Sequence, residues 1–150
     1  MVRGPRSVGP RESCRAYTVI ELVLVLSIAA AVMAIAFPRG QLALDRITVH
    51  SAAGDVLATL HSARTLALAG RTSVAVDVDG NAGVLRIRRG DDLLLSRNIG
   101  GAHGVQLTQS RDSLAFGPLG LGRGAANVSI VVRRRSAVET VFVSRLGRIR

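Results

Sequence analysis

The sequence predicts an α+β chain. One long N-terminal helix, apolar in its first half and amphipathic in its second, precedes an antiparallel β-sheet domain. Three observations carry this. Residues 22–37 contain no charged side chain. Apolar residues then recur at three- and four-residue spacings from Gln41 to Ala69, the period of a one-sided helix. Beyond Gly70 the period falls to two, as in half-buried strands.

Length and composition set the bounds. With 150 residues the chain supports one modest domain, and removing the N-terminal segments leaves about 110 residues, enough for a single core. The net charge is +10, and all twenty basic residues are Arg. Such a surplus reads first as a solvated positive surface and does not by itself specify an anionic partner. The aromatics are Tyr17, Phe37, Phe116 and Phe142, with no Trp, so the aromatic-interleaved basic surface of a single-strand binder is not expected. Cys14 is the sole cysteine, which excludes an internal disulfide. His50 and His61 are eleven residues apart, on one helix face but too far apart to share a metal. No metal site and no cofactor are expected.

The N-terminal segment comes first. Residues 1–16 carry Arg3, Arg6, Arg11 and Arg15 against Glu12, with Gly4, Pro5, Gly9 and Pro10 opposing helix. A basic flank ahead of an apolar run stays on the cytoplasmic side, so the C-terminal side is exported. A cleaved secretory signal would use a small-residue site such as Ala34-Ile35-Ala36. A plain anchor is also long enough, since residues 19–37 just span a bilayer. A buried core helix fits the basic flank poorly. Glu21 separates these readings from a fourth. A carboxylate inside the apolar edge costs roughly 2–3 kcal/mol on insertion and needs a partner. Cutting the chain before Tyr17 creates an α-ammonium four residues from Glu21, which a neighbouring copy's Glu21 could neutralise.

The stretch Ala16-Tyr17-Thr18-Val19-Ile20-Glu21, followed by the apolar run and Pro38, resembles the N-terminus of type IV pilins and type II secretion pseudopilins. That resemblance implies cleavage by a prepilin peptidase between Ala16 and Tyr17 and N-methylation of Tyr17. It assigns subunit assembly to Glu21 and a helix kink to Pro38. Ala16 departs from the family pattern, which prefers Gly before the cut.

After Pro38 the helix is expected to resume. Ile47, Val49, Ala53, Val56, Leu57, Leu60, Ala63, Leu66 and Ala67 form the apolar face, with Asp45, Arg46, Asp55, Arg64 and the two histidines elsewhere. Gly70 is the expected stop. Strands are expected over residues 73–78, 84–88, 93–96, 105–108, 114–116, 127–132 and 138–143, with loops at residues 100–104 and 117–124 and a turn at residues 133–136. The glycine-rich residues 117–124 lack the Lys-Ser/Thr and the following helix of a phosphate cradle. The expected divisions are a cleaved basic leader (1–16), a transmembrane and filament-core half-helix (17–37), an amphipathic half-helix (38–70) and a periplasmic β-rich domain (71–150).

The order of parts is similar to the GspH/FimT branch of minor pseudopilins. The residues carrying this are Ala63-Arg64, Phe116-Gly117-Pro118-Leu119-Gly120 and the terminal Gly147-Arg148-Ile149-Arg150. The resemblance implies a pilin-like fold and a minor pseudopilin of the type II secretion pseudopilus. Its partners would be other pseudopilins or pilins, the prepilin peptidase and inner membrane lipid, with a single pass through the inner membrane. The alternative is a FimT-like minor pilin of a type IV pilus that binds DNA through Gly-Arg-x-Arg. Residues 123–150 hold seven Arg and one Glu, and Arg145, Arg148, Arg150, Arg133, Arg134 and Arg135 are the candidate DNA contacts, since guanidinium can bridge phosphate oxygens. No catalytic constellation is present: Asp77, Asp79, Asp91 and Asp92 fall at turns and strand ends, where Asp satisfies backbone donors. An enzyme is not expected.

Overall fold

The computed structural model describes residues 18–123 and 127–150. The chain separates into two compact units, Met1–Pro38 and Arg39–Arg150. Helix α1 (Val19–Gly70) contains Pro38. Its first turn is set by Thr18, whose Oγ1 accepts the Glu21 backbone N–H at 3.3 Å, the N-cap geometry that satisfies an otherwise orphaned helix donor.

Every described residue through Leu44 is exposed. Twelve large apolar side chains between Val19 and Phe37 lie bare. Covering them is worth on the order of 20 kcal/mol, more than the whole stability of a typical domain. Lipid or another protein must therefore cover this stretch, and α1 is long and apolar enough to cross a membrane.

In the second unit one face of α1 is buried: Val49, Ala52, Ala53, Val56, Leu60, Ala63 and Ala67. The many alanines let the sheets approach the helix closely. The helix ends at Gly70, the expected stop, and Arg71 after it takes the left-handed conformation (φ 46°). Strands β1 (Val74–Asp79), β2 (Val84–Arg89) and β3 (Asp92–Asn98) then form a meander. Most of residues 100–104, expected as loop, instead belongs to the short helix α2 (Ile99–His103), capped by the Asn98 side chain accepting from the Gly101 N–H. Strands β4 (Gln106–Gln109), β5 (Ser113–Phe116), β6 (Gly122–Arg123), β7 (Val128–Arg134) and β8 (Ala137–Val143) complete the unit.

The strands make two antiparallel sheets where the sequence suggested one. Their orders are β3-β2-β1-β5-β6 and β4-β7-β8. The inner faces of both, with the buried face of α1, form one core that includes Val76, Ile87, Phe116, Ile130 and Val141. The strand patterns alternate buried and open positions, as the period of two requires. Two assignments on α1 are corrected. Asp45, read as a solvent-facing polar residue, is 3% exposed, and Ile47, read as part of the apolar face, is 66% exposed. The helix meets the sheets only from Asp45 onward, so residue type alone misassigns the register at the edge of the contact.

Candidate assembly and interaction sites

Glu21 lies in the first turn of α1, exposed, with its own N–H tied to Thr18. Thr18 and Glu21 have the spacing of a capping box, and a carboxylate here also complements the positive end of the helix dipole. Ala16 and Tyr17 lie outside the described residues. Pro38 lies within α1.

The arginine run divides sharply. Arg134 pairs across the hairpin with Ala137, so the turn is only Arg135-Ser136, and Arg133 and Arg134 belong to β7. Alternation along β7 sends Arg134 inward, where its Nε lies 3.1 Å from Asp45 Oδ1. Its Nη1 donates to the His103 carbonyl at 2.9 Å. Arg135 sits at the turn with φ 50°, a conformation costing a non-glycine residue about 1–2 kcal/mol. Its Nη1 reaches Asp45 Oδ2 at 3.2 Å. One buried carboxylate thus holds the hairpin to the helix; Arg133 and Arg135 are both exposed, and of the three only Arg133 has no ion-pair partner among the described residues. A cleft of about 430 Å³ opens beside the turn, lined by Gly104, Gln106, Arg133, Arg134 and Arg135.

Nothing in the sequence signalled Asp45, because its partners lie about ninety positions away. The same holds for His103, whose Nε2 lies 2.7 Å from Asp55 Oδ2, while Arg97 Nη1 lies 3.8 Å from Asp55 Oδ1. His50 approaches Glu139 at 3.3 Å. In each case a polar residue of α1 meets a group displayed by the sheets or α2.

The C-terminal motif is also placed. The Phe142 N–H donates to the Arg150 carbonyl (2.8 Å) and the Arg150 N–H to the Phe142 carbonyl (3.0 Å). The Ser144 N–H donates to the Arg148 carbonyl at 2.9 Å, and Val143 bridges to Ile149. Residues 148–150 therefore extend the smaller sheet beside β8. Alternation points Ile149 toward the core and sets Arg148 and Arg150 on the open face, which they share with Phe142, 57% exposed. Arg145 is exposed in the turn.

Three motifs far apart in sequence meet at one point. Gly147 (φ 72°) and Gly120 (φ 69°) are both left-handed, and a Cβ on Gly147 would collide with the Gly120 carbonyl oxygen. A Cβ on Gly120 would lie 3.1 Å from Arg64 Nε. Arg64 Nε is buried and has no hydrogen-bond partner among the described residues. The Ala63-Arg64 pair, the glycine loop and the terminal Gly-Arg thus form one junction. Only glycine permits this approach of two backbones.

The family described as Type II transport protein GspH matches residues 52–147, more than half of the chain. The chain belongs to the GspH family. No curated protein matches. Among solved structures, it is similar to the type IV minor pilin FimU of Pseudomonas aeruginosa strain PAO1 in a P21 crystal form. That match has 18% identity and a TM-score of 0.61 over 71% of this chain and 89% of that one. A second FimU crystal form, P65, gives 16% identity and a TM-score of 0.57, covering 67% and 90%. At these identities the likeness establishes the fold, which is pilin-like: a long N-terminal helix with antiparallel sheets. GspH-family membership makes the chain a minor pseudopilin or pilin, a structural subunit. The exposed apolar stretch of α1 and the Arg39–Arg150 unit suit a membrane-anchored pilin that carries a soluble domain.

Proposed function

We propose that this GspH-family chain is a minor pseudopilin of a type II secretion pseudopilus, a structural subunit and not an enzyme, assisting protein export across the outer membrane. The observation that carries the reading is the bare apolar stretch of α1 with Glu21 in its first turn. In the inner membrane, lipid covers that stretch; in a filament, neighbouring helices do. The basic residues 1–16 are a leader, cut between Ala16 and Tyr17 by a prepilin peptidase on the cytoplasmic side, and Tyr17 is then N-methylated. The new ammonium pairs with Glu21 of a neighbouring subunit, which sets the register of assembly. Residues 17–37 form the membrane and filament-core half of the helix, Pro38 is a point of bending within it, residues 38–70 support the domain, and residues 71–150 form the periplasmic β-rich part. The test is intact mass and N-terminal sequencing of membrane-extracted protein. A chain beginning at methylated Tyr17 is expected; a retained leader, or a start after Ala36, overturns the reading.

A second reading, a type IV minor pilin that binds DNA, is favoured by one observation. Arg148 and Arg150 are held side by side on the open face of the smaller sheet by backbone pairing with β8, with Arg145 exposed in the turn that precedes them. Phosphate contacts of this kind release counterions and weaken with salt. Arg134 and Arg135 add less, because Asp45 already engages both. Retention of duplex DNA by the full chain at low salt, lost in Arg148→Ala plus Arg150→Ala, supports this reading; equal retention by the variant removes it.

A further inference from the structure

We propose that the surface around Arg64 docks a second copy of this chain, whose Asp91-Asp92 turn supplies the carboxylate that Arg64 lacks. Arg64 is half-buried on α1. Its Nε is out of water and has no hydrogen-bond partner among the described residues. Its Nη groups reach solvent and have no such partner either. The Gly120 turn closes over the stem: a Cβ on Gly120 would lie 3.1 Å from Arg64 Nε and 3.1 Å from Leu68 Cδ2. The guanidinium is therefore held before any anion arrives, which favours a carboxylate over water. The large side chains beside it are bare. Leu68, Leu119 and Leu146 are 45%, 77% and 64% exposed, and Leu119 and Leu146 are the sequence neighbours of the two touching glycines, Gly120 and Gly147. Clustered bare leucines around a fixed arginine have the composition of a protein-binding surface.

Charge complementarity selects the occupant. In the Arg39–Arg150 unit, Asp45, Asp55, Asp77, Asp79 and Glu139 are in ion pairs and Asp112 accepts from Gln109. Asp91 and Asp92 are exposed, and among the described residues their side chains have neither an ion pair nor a hydrogen bond. Arg89 stands opposite Asp92 in the ladder, yet no ion pair joins them. Leu93 and Leu94, which follow, are also bare. One surface thus offers a cation without an anion among leucines, and the other offers anions without a cation beside leucines. A single molecule does not join them. Strand β3, which begins at Asp92, is one edge of the five-stranded sheet, and the Gly120 turn links β5 to β6 at the other edge, with roughly 15 Å of sheet between. Two copies do join them. Because the two surfaces differ, the contact is head-to-tail and repeats as an open row of copies instead of closing as a pair. It uses the Arg39–Arg150 unit alone, so it goes beyond the reading of residues 19–37 as a membrane span and does not depend on it.

The test is sedimentation of the full-length chain in a nonionic detergent over a concentration series. The natural chain should self-associate, and the association should weaken with salt. Arg64→Glu should weaken it by at least roughly tenfold, and so should Asp91→Arg plus Asp92→Arg, because each sets like charges against one another. Mixing the two variants should restore association, since every contact in an alternating row then joins opposite charges. Leu119→Ser should weaken association without altering its salt dependence, and Arg148→Glu should leave it unchanged. The Asp91, Asp92 and Leu119 positions are exposed, so these variants decide the matter even where Arg64→Glu fails to fold. A chain that stays monomeric at every concentration overturns the proposal, as does a mixture that fails to regain association. Association that survives all of these variants comes from the apolar stretch of α1 and overturns the docking site while leaving the membrane reading intact. A chain that captures a different pilin-like subunit through Arg64, with no contact between copies, also overturns it.

Discussion

Asp45 Oδ1 lies 3.1 Å from Arg134 Nε, in a position where the carboxylate is almost wholly removed from water. Two arginines share it, and it is the point at which the β7–β8 hairpin joins the helix. Removing one member of a buried pair leaves the other uncompensated, at a cost of about 3–5 kcal/mol. Because Arg135 is mostly exposed and Arg134 partly so, the lower end applies. Asp45→Ala should lower the stability of the Arg39–Arg150 unit by about 3 kcal/mol, read as a fall in the denaturant midpoint of the full chain in detergent. Arg135→Ala should cost well under 1 kcal/mol, as exposed pairs do. Equal effects from the two would show that Asp45 is not the anchor.

Gly147 answers to a different constraint. Its left-handed φ and its contact with the Gly120 carbonyl leave no space for a methyl group. Gly147→Ala should cost roughly 1–3 kcal/mol, paid by detaching residues 148–150 from β8. Hydrogen exchange gives the readout: the Phe142 and Ser144 amides, which donate to Arg150 and Arg148, should lose protection while those of β1 and β2 keep theirs. Unchanged protection would rule out the junction as the device that holds the terminal arginines.

Glu21 and Thr18 can be separated. Thr18→Ala removes a cap worth about 1 kcal/mol and should fray the first turn, visible in amide exchange at Glu21. Glu21→Gln keeps the Thr18 cap, since that bond uses the Glu21 backbone N–H. It should leave the Arg39–Arg150 unit with an unchanged denaturation midpoint but impair co-purification with other pilin-like subunits. Normal assembly of Glu21→Gln would remove the charge-pairing role.

Phe116 tests the core. It is fully buried and the largest side chain there, at the end of β5 where the glycine loop begins. Phe116→Ala should cost about 3–5 kcal/mol, enough to unfold a domain of ordinary stability at moderate denaturant. A loss under about 1 kcal/mol would mean that the site collapses around the change.

Local pattern was enough wherever the signal repeats over short range. The apolar run, the switch from period 3.6 to period two at Gly70, and the strands between Val74 and Val143 are legible because each residue's neighbours in space are also its neighbours in sequence; the exception is the two-residue β6, which lies within residues 117–124, read as loop, and is a strand only by its pairing with β5. The glycines of residues 117–124 marked a loop, and Gly120 within it takes the left-handed backbone, as does Gly147, which the sequence offered only as part of the terminal Gly-Arg motif.

Tertiary structure alone decided the rest. The division into two sheets depends on which strands find each other: β1 pairs with β5 and β4 with β7, neither adjacent in the chain. The partition of three consecutive arginines into one without an ion-pair partner among the described residues and two bound to Asp45 depends on a carboxylate some ninety residues away. So does the burial of Asp45 itself, which residue type argues against. Periodicity reports which face of an element is apolar; it carries no information about which distant group arrives to neutralise a charge, and that long-range pairing is what sets the chemistry of the turn.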